Sequence, residues 1–153
     1  MATSQVSADL IWDVVRGNNS FLVKRKSGGG VQLSRDPLNL TNKNARKWAG
    51  FVNEKAIGIV PGEKGSVKVL SKKASASQKP AKAITSTSYS GAKSTRKIFV
   101  AVANQAAKNG YRADLRQPAV ARVSAIRQSQ REPKPTPEPK LRGSKAKKAA
   151  ASS

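Results

Sequence analysis

Residues 111–131 read YRADLRQPAVARVSAIRQSQR, and the rest of the chain is organised around them. At 100° per residue from Leu115, the side chains of Leu115, Ala119, Val123 and Ile126 fall within one stripe about 80° wide. Arg116, Arg127 and Arg131 line one flank of that stripe and Arg122 lies on the other. With a rise of ~1.5 Å per residue, the row from Arg116 to Arg131 is about 22 Å long, enough to meet several phosphates. Asp114 stands where an N-cap belongs, facing the positive end of the helix dipole. Pro118 falls in the first turn, where a missing N–H costs little. The spacing predicts a helix with a thin apolar seam and a basic outer face. Such a face is by default a solvated surface, so the charge of the remaining chain has to decide its meaning.

That charge is large. The chain holds 30 Lys and Arg against 8 Asp and Glu, a net +22 over 153 residues. Residues 1–71 carry +6, 72–90 carry +4, 91–131 carry +8 and 132–153 carry +4. The excess therefore runs through the parts that read as folded as well as through the tail. Self-repulsion of this kind opposes compaction unless a polyanion neutralises it, and nucleic acid is the leading partner class. The absence of Cys and His excludes disulfides, thiolate zinc sites, thiol nucleophiles and most general-base chemistry. No catalytic residue, metal site, cofactor or small-molecule substrate is expected. The apolar run at residues 10–15 is too short for a signal peptide or a membrane span. The expected compartment is the cytosol or nucleus, with no membrane partner.

Residues 1–6 read as a loose arm. Ser7 caps a predicted helix over residues 8–16, with Leu10, Ile11, Val14 and Val15 at helical spacing and Gly17 as its stop. Asp9 and Asp13, four apart, suit a dipole contact and a salt bridge better than a metal. Residues 21–26 (FLVKRK) and 31–34 (VQLS) read as a strand pair around Ser27-Gly28-Gly29-Gly30, a hairpin tip rather than a phosphate loop. The polar stretch from Asp36 to Gly50 sets Lys43, Arg46 and Lys47 beside Trp48. That is the composition of an RNA-stacking surface, and equally that of a loop whose Trp48 and Phe51 plug the core. Residues 56–60 and 66–70 are β-branched runs around Pro61-Gly62-Glu63-Lys64-Gly65, a second hairpin. Residues 72–90 show no periodicity and are expected to be a flexible excursion that orders on RNA. A further helix is predicted over residues 94–109, its apolar face formed by Ile98, Phe99, Val102, Ala103, Ala106 and Ala107. Lys97, Asn104 and Lys108 form a row on its other side. Residues 132–153 (EPKPTPEPKLRGSKAKKAAASS) cannot bury a core; they read as an extended spacer with a basic tip at Lys145, Lys147 and Lys148. The fold class expected is α+β: a small antiparallel sheet of hairpins, a short N-terminal helix, two C-terminal helices and a basic extended tail. Residues 1–131 form the domain and 132–153 the tail.

Several of these stretches share a resemblance. SADLIWDVVRGNNSFLVKR near the start, the spacing of Asn39-Leu40, Asn44, Trp48 and Gly50, then KAIGIVP, QKPA and YRADLRQPAVARVSAIRQSQ resemble, in the same order, the L-twenty-eight-e family of eukaryotic large-subunit ribosomal proteins. The likeness covers residues 7–131; the SGGG tip, the Ser/Ala-rich stretch at 74–90 and the Pro/Lys tail depart from it. It implies a small α+β domain on the outer side of the large subunit, contacting large-subunit ribosomal RNA and neighbouring large-subunit ribosomal proteins. The implied location is the cytoplasmic ribosome, with assembly in the nucleolus.

The candidate RNA-binding residues are Lys24, Arg25, Lys26, Arg46, Lys47, Trp48, Lys97, Arg112, Arg116, Arg122, Arg127 and Arg131. Three readings compete with a structural ribosomal role. A nucleolar assembly factor sharing the domain would leave the mature particle. A linker-histone-like DNA binder would need a far longer basic tail, and an enzyme would need a polar constellation this chain lacks.

Overall fold

The computed structural model describes residues 6–76, 79–137, 140 and 142–151. All but Val6 of the expected N-terminal arm lies outside them. The order is α1 (Ala8–Val15), β1 (Leu22–Lys24), β2 (Gln32–Ser34), β3 (Ile57–Pro61), β4 (Val67–Lys72), α2 (Pro80–Ala83), β5 (Ile84–Tyr89), α3 (Thr95–Ala107), α4 (Arg116–Ser129) and α5 (Ser144–Ala151). This is the α+β class expected.

The centre is an antiparallel sheet ordered β3-β4-β5. β3 and β4 pair from Ile57↔Ser71 to Pro61↔Val67, a register closed by the turn in which Gly62 N donates to Ser66 O at 2.9 Å. Alternation along these strands sends Ile57, Ile59, Val67 and Val69 to one face. There they meet Ile98, Val102 and Ala106 of α3 and the whole predicted seam of α4, Leu115, Ala119, Val123 and Ile126. None of these residues exceeds 7% exposure, and each buried Ile, Val or Leu contributes about 1.5–3 kcal/mol. Gly58 faces the other way. A Cβ there would collide with the Pro37 carbonyl and the Leu38 backbone, so glycine is what lets the loop after β2 cross β3. That loop is pinned by the buried Asp36, whose carboxylate accepts from Leu38 N at 2.9 Å and Phe51 N at 3.1 Å, and it delivers Leu40 to the same core.

The expected excursion at 72–90 is corrected in part. β5 pairs with β4 along its whole length, from Val67↔Tyr89 to Lys72↔Ile84. Thr and Ser stand where apolar residues would have shown the period, while Thr85, Thr87 and Tyr89 turn to the half-buried side. β-branched and aromatic side chains suit that pleated surface even when they are polar.

The first helix forms as predicted, with Ser7 Oγ accepting from Leu10 N at 3.2 Å. It buries nothing fully. Ala8, Trp12 and Val15 are half-buried, whereas Leu10 and Val14 stay 57% and 75% exposed. α3 is capped by Ser94, whose Oγ accepts from Lys97 N at 3.4 Å. After α3, Asn109 (φ 59) and Gly110 (φ 62) turn the chain through left-handed backbone.

Two further expectations are corrected. Asp114 does not cap α4: Leu115 holds the N-cap position, and Asp114 sits in the preceding 3-10 turn. Its carboxylate is taken by Arg112, Nε and Nη2 each donating at 2.8 Å, because a bidentate charge-assisted pair outcompetes a cap. The tail is not extended throughout. Residues 133–137 carry no regular structure, but Ser144–Ala151 is helical, as its Ala and Lys content favours. Among the described residues no helix is long and apolar enough to cross a membrane.

Candidate nucleic-acid interface

The structure separates the cations chosen from sequence into those held by protein and those left to solvent. Arg127 is held. Its Nη1 donates to Gly65 O at 2.9 Å and Gly91 O at 3.0 Å, and its Nη2 to Lys93 O at 3.4 Å. One guanidinium thus ties α4 to the β3–β4 turn and to the connection after β5. Gly91 permits this approach, since a Cβ there would lie 2.5 Å from Lys64 O. Arg112 is held between Asp114 and Lys55 O, to which Nη1 donates at 2.9 Å. That pairing depresses the Asp114 pKa and raises that of Arg112, the hydrogen bond between them being the largest cause for each. Arg46 Nε donates to Asp9 Oδ1 at 2.8 Å, and Nη1 donates to Asn53 Oδ1. This is the salt bridge expected of Asp9, and it leashes α1 to the loop. Lys24 Nζ donates to Gly17 O at 3.0 Å.

Arg25, Lys26, Lys97, Arg116 and Arg131 are exposed, with no side-chain partner among the described residues. Arg25 and Lys26 crown the β1–β2 hairpin, Lys97 lies in the first turn of α3, Arg116 begins α4, and Arg131 lies two residues past its end. Arg122 is half-buried, and its Nε lacks a hydrogen-bond partner among the described residues. An unpaired buried donor of that kind is costly.

Trp48 packs half-buried against the core, the plug reading of its loop. Lys47 Nζ lies 5.0 Å from its ring centroid, a cation–π contact that leaves the exposed Lys47 on the outer surface. Phe51 meets Phe21 instead, ring centroids 5.6 Å apart.

Lys72, expected in the flexible excursion, has a structural role. Its ammonium donates to Gly50 O, Phe51 O and Asn53 O at 2.8–3.2 Å. Burial lowers its pKa, and the carboxylates of Asp36 and Glu54 oppose that shift. Composition offered no sign of this, because the three carbonyls belong to a distant loop.

Two cations missing from the candidate set, Lys55 and Lys108, border a common groove with Tyr111. Lys108 was legible as the third member of the Lys97, Asn104, Lys108 row. Lys55 was not, since it reaches the groove only through the pairing of β3 with β4.

The family model for the Ribosomal L28e protein family matches residues 10–129, ending on the last residue of α4. The chain belongs to this family. Three eL28 relatives match over more than nine tenths of their own length. The large ribosomal subunit protein eL28 of Schizosaccharomyces pombe is 44% identical over 132 residues, 86% of this chain and 97% of the relative. That of Dictyostelium discoideum is 34% identical over 84% of this chain and 92% of its own, and that of Caenorhabditis elegans 34% over 82% and 91%. The L28e match takes in both hairpins, β5, α3 and α4, and therefore all of the exposed cations above except Arg131.

Proposed function

We propose that the protein is a structural constituent of the large subunit of the eukaryotic cytosolic ribosome. It binds and stabilises large-subunit ribosomal RNA through lysine and arginine contacts to phosphate, performs no catalysis, and touches neighbouring large-subunit proteins. Its place of work is the cytoplasm, after assembly in the nucleolus. The observation that carries this reading is the near-full-length match to proteins named for the large ribosomal subunit. The exposed, unpartnered Arg25, Lys26, Lys97, Arg116 and Arg131 supply the chemistry, because cations not committed to the fold are those free to displace counterions from phosphate. Lys24, Arg46, Arg112 and Arg127 position the elements that present them.

The test is a sucrose gradient of cell lysate probed for the protein, with the ribosomal fractions rewashed in high salt. Sedimentation with large subunits and polysomes that survives the wash is the expected result. Presence only in precursor particles would instead make it an assembly factor, and sedimentation with chromatin would end the ribosomal reading.

A further inference from the structure

A groove of about 380 Å³ opens between α3, the turn after it and the C-terminal end of β4 at Ser71. Its volume lies within the range of small-ligand sites, roughly 300–1,000 Å³. Lys55, Asn104, Gln105, Lys108, Asn109 and Tyr111 line it, with no carboxylate among its lining residues. We infer that this groove is a subsite for one unpaired RNA nucleotide, whose phosphate meets the Lys55 and Lys108 ammoniums and whose base meets the amides and the Tyr111 ring.

The inference deepens the RNA-binding reading and rests on it. Two ammoniums and no acid select an anion. A bare anion would leave three carboxamides and an aromatic ring unused, whereas a nucleobase needs both kinds of contact. Splayed-out bases in single-stranded RNA are recognised by hydrogen bonds to their edges and by stacking on aromatic rings.

The lining is prepared for such a ligand. The Tyr111 hydroxyl lies 3.1 Å from Ala56 O and 2.5 Å from Lys72 O, so the ring is anchored to the sheet by its far end. Lys55 Nζ is 5.9 Å from the ring centroid, which puts one cation beside the aromatic surface. Gln105 uses its oxygen to accept from the Tyr89 hydroxyl at 3.3 Å, leaving its amide N–H groups for a base. Asn104 and Asn109 are exposed and have no side-chain partner among the described residues. The left-handed turn at Asn109 and Gly110 brings Lys108 and Asn109 to the rim.

The experiment uses the full-length protein and two RNA hairpins, one fully paired and one identical but for a single-nucleotide bulge. Asn104→Ala combined with Asn109→Gly removes two amides, keeps both lysines and suits the helical and left-handed positions concerned. The wild type is expected to prefer the bulged hairpin by about tenfold, the factor that hydrogen bonds from two amides to a base edge supply. The double variant is expected to lose that preference while its salt dependence stays unchanged. Equal binding of both hairpins by the wild type, or a preference that survives in the variant, overturns the subsite and leaves the phosphate-binding reading intact. Failure of either RNA to bind in a salt-dependent manner overturns both. A circular-dichroism melt of the variant matching the wild type shows that the comparison concerns the groove and not the fold.

Discussion

Arginines on α4 and just past its end behave differently because of what surrounds them. Arg127 gathers three backbone carbonyls from two separate turns. Hydrogen bonds from a charged group are worth about 1.5–3 kcal/mol in favourable settings. Arg127→Ala should therefore lower unfolding free energy by about 1–3 kcal/mol, read by urea denaturation. Arg116 and Arg131 touch nothing of the kind. Arg116→Ala with Arg131→Ala should leave stability within about 0.5 kcal/mol and reduce the slope of log affinity against log salt by about 1–2 for RNA. An unchanged slope would remove the ends of α4 from the RNA contact. The Asp114–Arg112 pair predicts a pH effect of definite sign. Its folded pKa is depressed below the ordinary 3.8, so its contribution is present above that value and is lost as pH falls through the depressed one. Asp114→Asn should flatten this acid limb of the stability profile, seen by thermal melts across pH 2–5. The effect is modest, because the carboxylate is 41% exposed and solvent screens the pair.

At the scale of elements, apolar periodicity and burial part company. α3 and α1 both carry helical apolar spacing and a serine cap, yet only α3 enters the core. Ile98 in α3 is 1% exposed, whereas Leu10 and Val14 in α1 face solvent. Ile98→Ala should cost about 2–5 kcal/mol through lost burial and the cavity left behind. Leu10→Ser with Val14→Ser should shift stability by no more than about 0.5 kcal/mol, and the same thermal melt checks both. β5 makes the converse case. Its sequence, ITSTSY, carries almost no apolar alternation, yet it completes the sheet, because β4 offers it an unpaired edge and Tyr89 packs against the core.

For the whole molecule, net charge sets two responses to salt with opposite signs. A charge of +22 on 153 residues repels itself in the folded state, and screening relieves that repulsion over a Debye length of about 10 Å at 0.1 M. The melting temperature of the free protein should therefore rise with salt. RNA affinity should fall, by about 10³–10⁵ between 50 and 200 mM if 6–10 phosphates are neutralised. Measuring both on one preparation separates the two effects, and a melting temperature that falls with salt would contradict the self-repulsion argument.

The sequence by itself determined the α+β class, both hairpins, the cap at Ser7, the helix that became α3, and the buried seam of α4. Each of these is written in local periodicity or in turn and cap chemistry that acts over a few residues. It also pointed to a polyanionic partner, because net charge is a sum over residues and needs no coordinates. Tertiary structure alone decided which cations are spent on the fold. Lys72 finds its acceptors 19–22 residues away, Arg46 and Asp9 are separated by 37 positions, Arg112 and Lys55 by 57, and Arg127 and Gly65 by 62. It decided that β5 is a strand, that α1 keeps an outward apolar face, and that Lys55, Lys108 and Tyr111 share one groove. These are long-range pairings, and a one-dimensional pattern holds no record of which distant acceptor or strand edge will be left open.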